Sequence, residues 1–373
     1  MRRYLLVLVV LLIAAPLAAC GSSKSTSTTA TTGATADATT TTAAATPAPA
    51  ATSTPPGSAS TPAPSAAASP PATTGATPAS GGLTFTDATG TTQTLPKPAT
   101  RIVCLVGLCE DILASLGLQP VAVNDTYGQD PHLWGDQAKS FTKIGGSFPA
   151  PNIEDIAKAT PDLIIGVANA HEQLRSALQP IAPLYIMNPA TYQDSIKDLE
   201  DIGRLTGHTA QATAAAKKFT DELSDYKAKS PNTVSTVLIY GAAPNFNVFT
   251  EGSLTPSVLD QVTPYAIPAP SGVAAGGSDR EPGAIPGSLE QLLNVNPDTI
   301  LIASFGNATG AKSLSQQLAS DPVWSQLKAV KDNRVYEVNP NYYVFGRGTI
   351  ALGLALQDAM SKLYPGTFGT PTP

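Results

Sequence analysis

The chain has 373 residues and a formal net charge of −6, from 22 basic and 28 acidic side chains. It contains no arginine-rich run or basic patch, which argues against nucleic-acid binding. Its length leaves room for terminal segments plus one large or two medium folded domains.

The first 19 residues have the pattern of a secretory signal. Two arginines follow Met1, an apolar run extends from Tyr4 to Ala15, and small residues precede Cys20. The run is shorter than the roughly 20 apolar residues that a transmembrane helix needs. The segment before Cys20 resembles a bacterial lipobox, which implies cleavage before Cys20 and attachment of lipid to its sulfur. We therefore expect a chain anchored in a membrane through lipid.

Residues 20–82 form a low-complexity segment. After Cys20 it consists almost entirely of Ser, Thr, Ala, Pro and Gly, and its charged residues are Lys24 and Asp37. Such a segment has no large apolar side chains to bury, so it cannot offset the entropy lost on ordering. We predict a disordered linker with an r.m.s. reach of roughly 45 Å.

Beyond this linker, short apolar runs alternate with helical patterns, which indicates α/β layers with mainly parallel sheets. The predicted strands are Ile102–Val106, Val121–Val123, Leu163–Val167, Leu184–Met187, Val237–Tyr240, Thr299–Ala303 and Val335–Val338. Between the fourth and fifth strands, apolar residues recur every three or four positions, which is typical of amphipathic helices. We predict an N-terminal lobe (83–190), a helical connector (191–233), a C-terminal lobe (234–366) and a disordered tail (367–373).

The two predicted lobes share a local pattern. The first contains Asn152, Glu154 and Pro161-Asp162, and the second contains Ser288, Glu290 and Pro297-Asp298. Asn and Ser are good N-caps, so each glutamate is expected in the first turn of a short helix that ends before the proline. Two lobes built to one plan suggest a cleft between them.

Two cysteines, Cys104 and Cys109, follow the first predicted strand. An exported protein is compatible with a disulfide between them. The alternative is two small buried residues at a strand end. We prefer this alternative slightly, because the sequence does not fix the geometry that a disulfide requires.

Four blocks between residues 83 and 364 resemble the helical-backbone family of bacterial substrate-binding proteins. They are Arg101–Leu105 with Glu110–Val123, the two glutamate and Pro-Asp blocks, Asp321–Trp324 with Ala329–Val338, and Phe345–Gly348. The resemblance implies an α/β fold of two lobes with mainly parallel sheets, joined by a long rigid helix matching Thr209–Ala228. It also implies a monomer that delivers a siderophore, haem or cobalamin to an ABC permease.

In this family, one glutamate on each lobe docks into arginine pockets of the permease. Glu154 and Glu290 match these positions. An exposed carboxylate at a helix N-terminus is favoured by the helix dipole and can pair bidentately with arginine. The alternative is that both residues only stabilise their helices.

The ligand that we expect is a ferric siderophore, and we expect no resident cofactor. His132, His171 and His208 are scattered, which argues against a bare metal ion. A ferric chelate is rich in oxygen and often anionic, and it suits arginines and aromatic rings. One candidate, Arg280, lies in the Gly-rich loop before the second glutamate block. The candidates at or after predicted strands are Arg347, Tyr127, Trp134, Tyr240, Phe246, Tyr342 and Tyr343. Surface ion pairs for the arginines and core packing for the rings remain the alternatives.

Other functions fit the sequence less well. It contains no G-x-S-x-G, Walker A, G-x-G-x-x-G or H-E-x-x-H motif, so we predict no enzyme and no catalytic residue. An adhesion or structural lipoprotein would leave the paired glutamates unexplained. Cobalamin and haem stay open as ligands, although Glu110-Asp111 and the Gly-Arg347-Gly segment resemble the siderophore branch more than the cobalamin branch. The sequence also leaves open the permease and whether the anchored protein faces a periplasm or the outside.

Overall fold

A computed structural model describes residues 82–124, 131–269, 283–304 and 312–369. The signal segment, Cys20 and the predicted linker through residue 81 lie outside these ranges. Within the described part, no helix is both long enough and apolar enough to cross a membrane.

In chain order, the strands of the first part of the fold are β1 (Leu83–Thr86), β2 (Thr92–Leu95), β3 (Ile102–Cys104), β4 (Ala122–Val123), β5 (Thr142–Lys143), β6 (Gly146–Ser147), β7 (Ala150–Pro151), β8 (Leu163–Val167) and β9 (Leu184–Met187). Five of them form the first sheet, all parallel, in the order β5-β4-β3-β8-β9. The accompanying helices are α1 (Gly107–Ser115), α2 (Pro131–Trp134), α3 (Ile153–Lys158) and α4 (Arg175–Leu178). Strands β1 and β2 form one antiparallel hairpin, and β6 and β7 form another. Together these elements form the first lobe.

Alternate residues of the central strands face opposite sides of the first sheet. Ile102 and Cys104 of β3 belong to one buried cluster, and Val103 belongs to another with Ile156 of α3. Both faces of the sheet are therefore covered. This explains why its strands appear in the sequence as continuous apolar runs.

The strands of the second sheet are β10 (Thr236–Gly241), β11 (Phe246–Phe249), β12 (Ala284–Pro286), β13 (Thr299–Ser304) and β14 (Val335–Glu337). This sheet is mixed and has the order β12-β11-β10-β13-β14. The parallel strands β10, β13 and β14 were predicted, whereas the antiparallel pairings of β11 with β10 and with β12 were not. These two strands are short and begin or end beside Gly, Pro or Asn, so they give no clear strand signal.

The helices of this second lobe surround its sheet. They are α7 (Leu254–Leu259), α8 (Leu289–Val295), α9 (Leu314–Leu318), α10 (Lys328–Lys331), α11 (Thr349–Leu363) and α12 (Pro365–Phe368). Phe368 packs against Tyr226 with ring centroids 5.3 Å apart. Ordered structure therefore continues through residue 368, two residues beyond the predicted end of the lobe.

Two helices, α5 (Tyr192–Thr206) and α6 (Thr209–Lys229), connect the lobes. A capping box between Thr191 and Asp194 starts α5, and Gly207, with a φ of 76°, ends it. Along α6, Ala212 belongs to the core of the first lobe and Phe219 to the core of the second. One helix therefore spans both lobes, as the resemblance implied.

Cys104 and Cys109 form a disulfide, so the preferred interpretation of two unlinked cysteines was wrong. The end of β3 and the first turn of α1 bring their Cα atoms to 5.5 Å, which is within the range for a disulfide. Both residues are fully buried. The bond ties α1 to the strand that precedes it.

Candidate functional site

Glu154 and Glu290 occupy the same position in two short helices, one in each lobe. Each is the second residue of its helix, and each is exposed. The Asn152 side chain accepts hydrogen bonds from the Glu154 and Asp155 N–H groups at 2.9 and 3.2 Å. Ser288 Oγ accepts one from the Gln291 N–H at 3.1 Å. The predicted N-caps are thus confirmed, and permease docking stays a prediction.

The far ends of these two helices are also held. At the end of α3, the Arg101 guanidinium donates to the carbonyl oxygens of Ala159 and Thr160 at 2.6 and 2.8 Å. At the end of α8, Asn296 adopts a left-handed conformation with a φ of 41°, and its Oδ1 accepts from the Lys328 N–H at 2.9 Å. Helices fixed at both ends present their glutamates in a defined direction.

Two side chains of the first lobe, Trp134 and Asn124, carry buried polar atoms, and Asn124 lies at the carboxyl edge of the first sheet. Trp134 packs edge-on against Phe141, with ring centroids 5.1 Å apart, and its indole Nε1 is buried without a hydrogen-bond partner among the described residues. Asn124 follows β4, and its amide nitrogen donates to the carbonyl oxygens of Ile144 and Gly145. Its Oδ1 is likewise buried without such a partner in the described ranges.

Sequence reasoning named Trp134 but missed Asn124. One feature of the sequence could have identified Asn124. It is the first polar residue after the predicted strand Val121–Val123, where ligand-lining loops of α/β sheets begin. A buried acceptor without a partner is costly, so a ligand donor or a water molecule at Asn124 Oδ1 would be favourable.

Three of the predicted aromatic contacts lie in the core of the second lobe. Tyr240 and Phe246 are 5% and 4% exposed, and the Tyr240 ring stacks on Phe249 at 4.8 Å. Tyr343 is 1% exposed, and its hydroxyl donates to the carbonyl oxygen of Ala355 at 3.0 Å. These positions match the alternative of core packing. Tyr343 also lines a small cavity together with Arg347, and contact of these rings with ligand stays a prediction.

Arg347 lies where the two lobes meet. Its side chain is 4% exposed and lines a small cavity together with Pro189, which follows β9 of the first lobe, and Val344 of the second. Its backbone is left-handed, with a φ of 60°. Tyr342, nearby in the chain, is half-buried. The candidates Tyr127 and Arg280 lie outside the described residues.

A larger groove, of about 810 Å³, lies elsewhere, between α1, α6 and α11. It is lined by helical side chains, including Ala114, Lys218, Glu222 and Gly353. Because no strand-end loop within the described ranges contributes to it, we do not assign the ligand to this groove.

The described histidines have structural partners. His171 is fully buried; its Nδ1 accepts from the Val167 N–H at 3.1 Å, and its Nε2 lies 2.8 Å from the Phe148 carbonyl oxygen, to which it donates. His208 Nδ1 lies 2.8 Å from the Thr206 carbonyl oxygen. No group of three or more metal-ligating side chains occurs in the part of the chain that the structure covers. The side chain of His132 is not described.

A model of the periplasmic binding protein family matches residues 102–342, which include strands of both five-stranded sheets and the two connecting helices. The chain belongs to the periplasmic binding protein family. The predicted fold class, two α/β lobes with mainly parallel sheets joined by a helix, is thereby confirmed.

This periplasmic binding protein is 28% identical over 285 residues to the Fe(3+) dicitrate-binding periplasmic protein FecB of Escherichia coli (strain K12), covering 75% of this chain and 90% of FecB. It is 28% identical over 291 residues to the putative ABC transporter substrate-binding lipoprotein YhfQ of Bacillus subtilis (strain 168), covering 75% of this chain and 88% of YhfQ. The crystal structure of the petrobactin-binding protein YclQ from Bacillus subtilis has the same fold, with a TM-score of 0.63 at 19% identity over 76% of this chain and 99% of YclQ.

Proposed function

We propose that this periplasmic binding protein is the substrate-binding component of an ABC importer. It captures a ferric siderophore or a similar iron chelate in the cleft between its lobes and delivers it to a membrane permease as a monomer. The proposal assigns no catalytic step to the chain.

The observation that carries the transport role is the equivalence of Glu154 and Glu290. Both are exposed second residues of short helices, and each helix is capped by a neighbouring side chain. Two rigid carboxylates, one per lobe, suit a permease that contacts both lobes at once through arginines. A protein that only binds its ligand has no need of this symmetry.

The proposed ligand class rests on the names of relatives and on the chemistry of the cleft. FecB is named for ferric dicitrate, which is an anionic, oxygen-rich chelate. The indole N–H of Trp134 and the guanidinium of Arg347 are donors suited to such oxygen atoms. Cobalamin or haem is the alternative within the same transport role.

The membrane anchor is part of the same proposal. YhfQ is named a lipoprotein of an ABC transporter, and Cys20 follows the signal-like segment of this chain. A lipid on Cys20 would keep the folded lobes near the permease on the extracytoplasmic side of the membrane.

A ligand titration tests the proposal. The full-length protein in detergent is titrated with ferric citrate, a ferric hydroxamate, a ferric catecholate, cobalamin and haemin, with calorimetry as the readout and tryptophan fluorescence as a second signal. We expect saturable, sub-micromolar binding of one ferric class. Binding of cobalamin or haemin alone would overturn the ligand class but keep the transport role. Absence of binding by all five would overturn the proposed function.

A further inference from the structure

A carboxylate of the first lobe caps the last long helix of the second. Asp111, in α1, is fully buried. Its Oδ1 accepts from the Ile350 N–H at 3.1 Å, and its Oδ2 accepts from the Ala351 N–H at 2.8 Å. These groups belong to the first turn of α11, where backbone N–H groups lack helical partners and the helix dipole favours negative charge.

The approach of the two elements is close enough to require glycine at position 348. A Cβ on Gly348 would lie 2.1 Å from Asp111 Oδ1. The φ of Gly348 is −92°, so any residue could adopt its backbone conformation. It is therefore contact with Asp111, and not backbone strain, that excludes a side chain here.

A second residue fixes the turn that immediately precedes α11. Ser195 of α5 is fully buried, and its Oγ donates to the carbonyl oxygen of Arg347 at 2.7 Å. Arg347 has a left-handed backbone, which is uncommon for a residue with a side chain and persists only where the surroundings hold it. Ser195 on one side and Asp111 on the other thus clamp residues 347–351.

We propose that Asp111 and Ser195 are positioning residues that hold Arg347 in the conformation in which it contacts ligand. This inference rests on the proposed function, because it presumes that Arg347 binds the chelate. The clamp joins α1 of the first lobe and α5 of the connector to the turn before α11. It therefore links the arrangement of the lobes to the direction of one guanidinium.

A double-mutant cycle tests the clamp in the full-length protein, with ferric citrate as the probe. Arg347→Gln is expected to weaken binding at least about tenfold, as for loss of a charge-assisted hydrogen bond. Ser195→Ala and Asp111→Asn are each expected to weaken it about tenfold when Arg347 is present and less than about twofold in the Arg347→Gln background. Ser115→Ala is the control, because Ser115 Oγ contacts the hydroxyl of Thr349 at 3.2 Å in the same interface, whereas Asp111 and Ser195 bond backbone groups of residues 347–351.

Equal losses in both backgrounds would assign Asp111 and Ser195 a general structural role and overturn the inference, as would no loss in either. If Arg347→Gln leaves ferric citrate affinity unchanged, the role of Arg347 fails and the inference fails with it.

If ferric citrate does not bind at all, amide hydrogen exchange of residues 347–351 tests the clamp independently of ligand binding. Faster exchange at Ile350 and Ala351 in Asp111→Asn, but not in Ser115→Ala, would support the clamp. Unchanged exchange would overturn it.

Discussion

Asp162 and Asp298 each accept the same pair of hydrogen bonds from one residue in their own lobe. Asp162 accepts from the backbone N–H and the hydroxyl of Thr100, just before the central strand of the first sheet, at 2.9 and 3.0 Å. Asp298 accepts from the backbone N–H and the hydroxyl of Ser235, just before the central strand of the second sheet, at 2.8 and 2.9 Å. Each aspartate thereby joins the start of its own strand to the start of the neighbouring parallel strand.

Replacing Asp298 by alanine should destabilise the second lobe. Loss of the hydrogen bonds from Ser235 is expected to cost about 1 to 3 kcal/mol in the free energy of unfolding at neutral pH. The hydrogen bond from Lys328 lowers the pKa of Asp298, burial opposes this, and the bonds from Ser235 add to the lowering. The carboxylate therefore stabilises the fold above the unfolded-state pKa, and this contribution is lost as the pH falls through the folded-state value.

Urea unfolding at neutral and acidic pH measures this effect. The control is Asp332→Ala, because Asp332 also contacts Lys328, at 3.7 Å, but holds no strand. Equal destabilisation by both substitutions would mean that the ion pair with Lys328, and not the link to Ser235, is the stabilising interaction.

Gly348→Ala should destabilise the protein, although its backbone conformation permits alanine. The added Cβ would overlap the Asp111 carboxylate, and such overpacking costs roughly 1 to 3 kcal/mol. Gly366→Ala is the matched control, since a Cβ there meets no atom within 4 Å. Urea unfolding of both variants checks the expectation. The penalty should shrink when Gly348→Ala is combined with Asp111→Ala, and a penalty that persists in full would contradict the steric explanation.

Stability should fall as the pH rises, because of Asp198. Burial raises the pKa of Asp198 to about 8; Lys197 opposes this, and Asp201 and Asp194 add to it. The unfolded chain releases this proton near pH 4, whereas the folded chain keeps it to about pH 8. The folded state therefore binds more protons across this window, and the free energy of unfolding decreases from about pH 4 to about pH 8.

Asp198→Asn should remove this pH dependence and stabilise the protein at the alkaline end of the window. Urea midpoints at about pH 5 and about pH 8 measure the change. The explanation fails if the urea midpoint of the variant falls between these two pH values as steeply as that of the parent protein.

Reduction of the disulfide should lower the melting temperature. In the chain-entropy account, a cross-link that closes a loop this short stabilises the fold by about 2 kcal/mol. The double variant Cys104→Ala, Cys109→Ala should melt below the parent and should not respond to reductant. If reductant lowers the melting temperature of both proteins equally, its effect does not act through this bond.

The variant Glu154→Ala, Glu290→Ala should abolish uptake of the iron chelate by cells while its affinity for the chelate stays within about twofold. Both side chains are exposed and distant in sequence from the strand-end residues of the cleft. Glu200→Ala with Glu251→Ala is the control, because these glutamates are also exposed but do not share the paired helix position. A loss of affinity would assign Glu154 and Glu290 to the ligand instead of the permease.

Patterns within short stretches predicted much of this fold. All seven predicted strands are present, because strands covered on both faces carry continuous apolar runs, as in Leu163–Val167. The connector helices follow from apolar residues at helical spacing, and the caps Asn152 and Ser288 follow from their side chains. The hairpin of β1 and β2 was not predicted, although Leu83–Thr86 alternates apolar residues with threonine, because both strands have only four residues and β2 ends in its single apolar residue.

The candidate site was less predictable. Tyr240 and Tyr343 stand near strand ends in the sequence, yet both rings are packed into the core of the second lobe. A side chain after a strand can point to the core or to the cleft, and the choice depends on which neighbours fill the space. The polar atoms of Asn124 and Trp134 became apparent only when their surroundings were known.

The sequence by itself determined the two α/β lobes, the helical connector and the equivalent glutamates, because each depends on periodicity, capping or a motif within about 20 residues of chain. Only the tertiary structure decided that Cys104 and Cys109 are linked, and that Asp111 caps a helix at Ile350, which lies 239 residues further along the chain. Such contacts depend on how separately formed elements pack, and no local pattern encodes the distance between them.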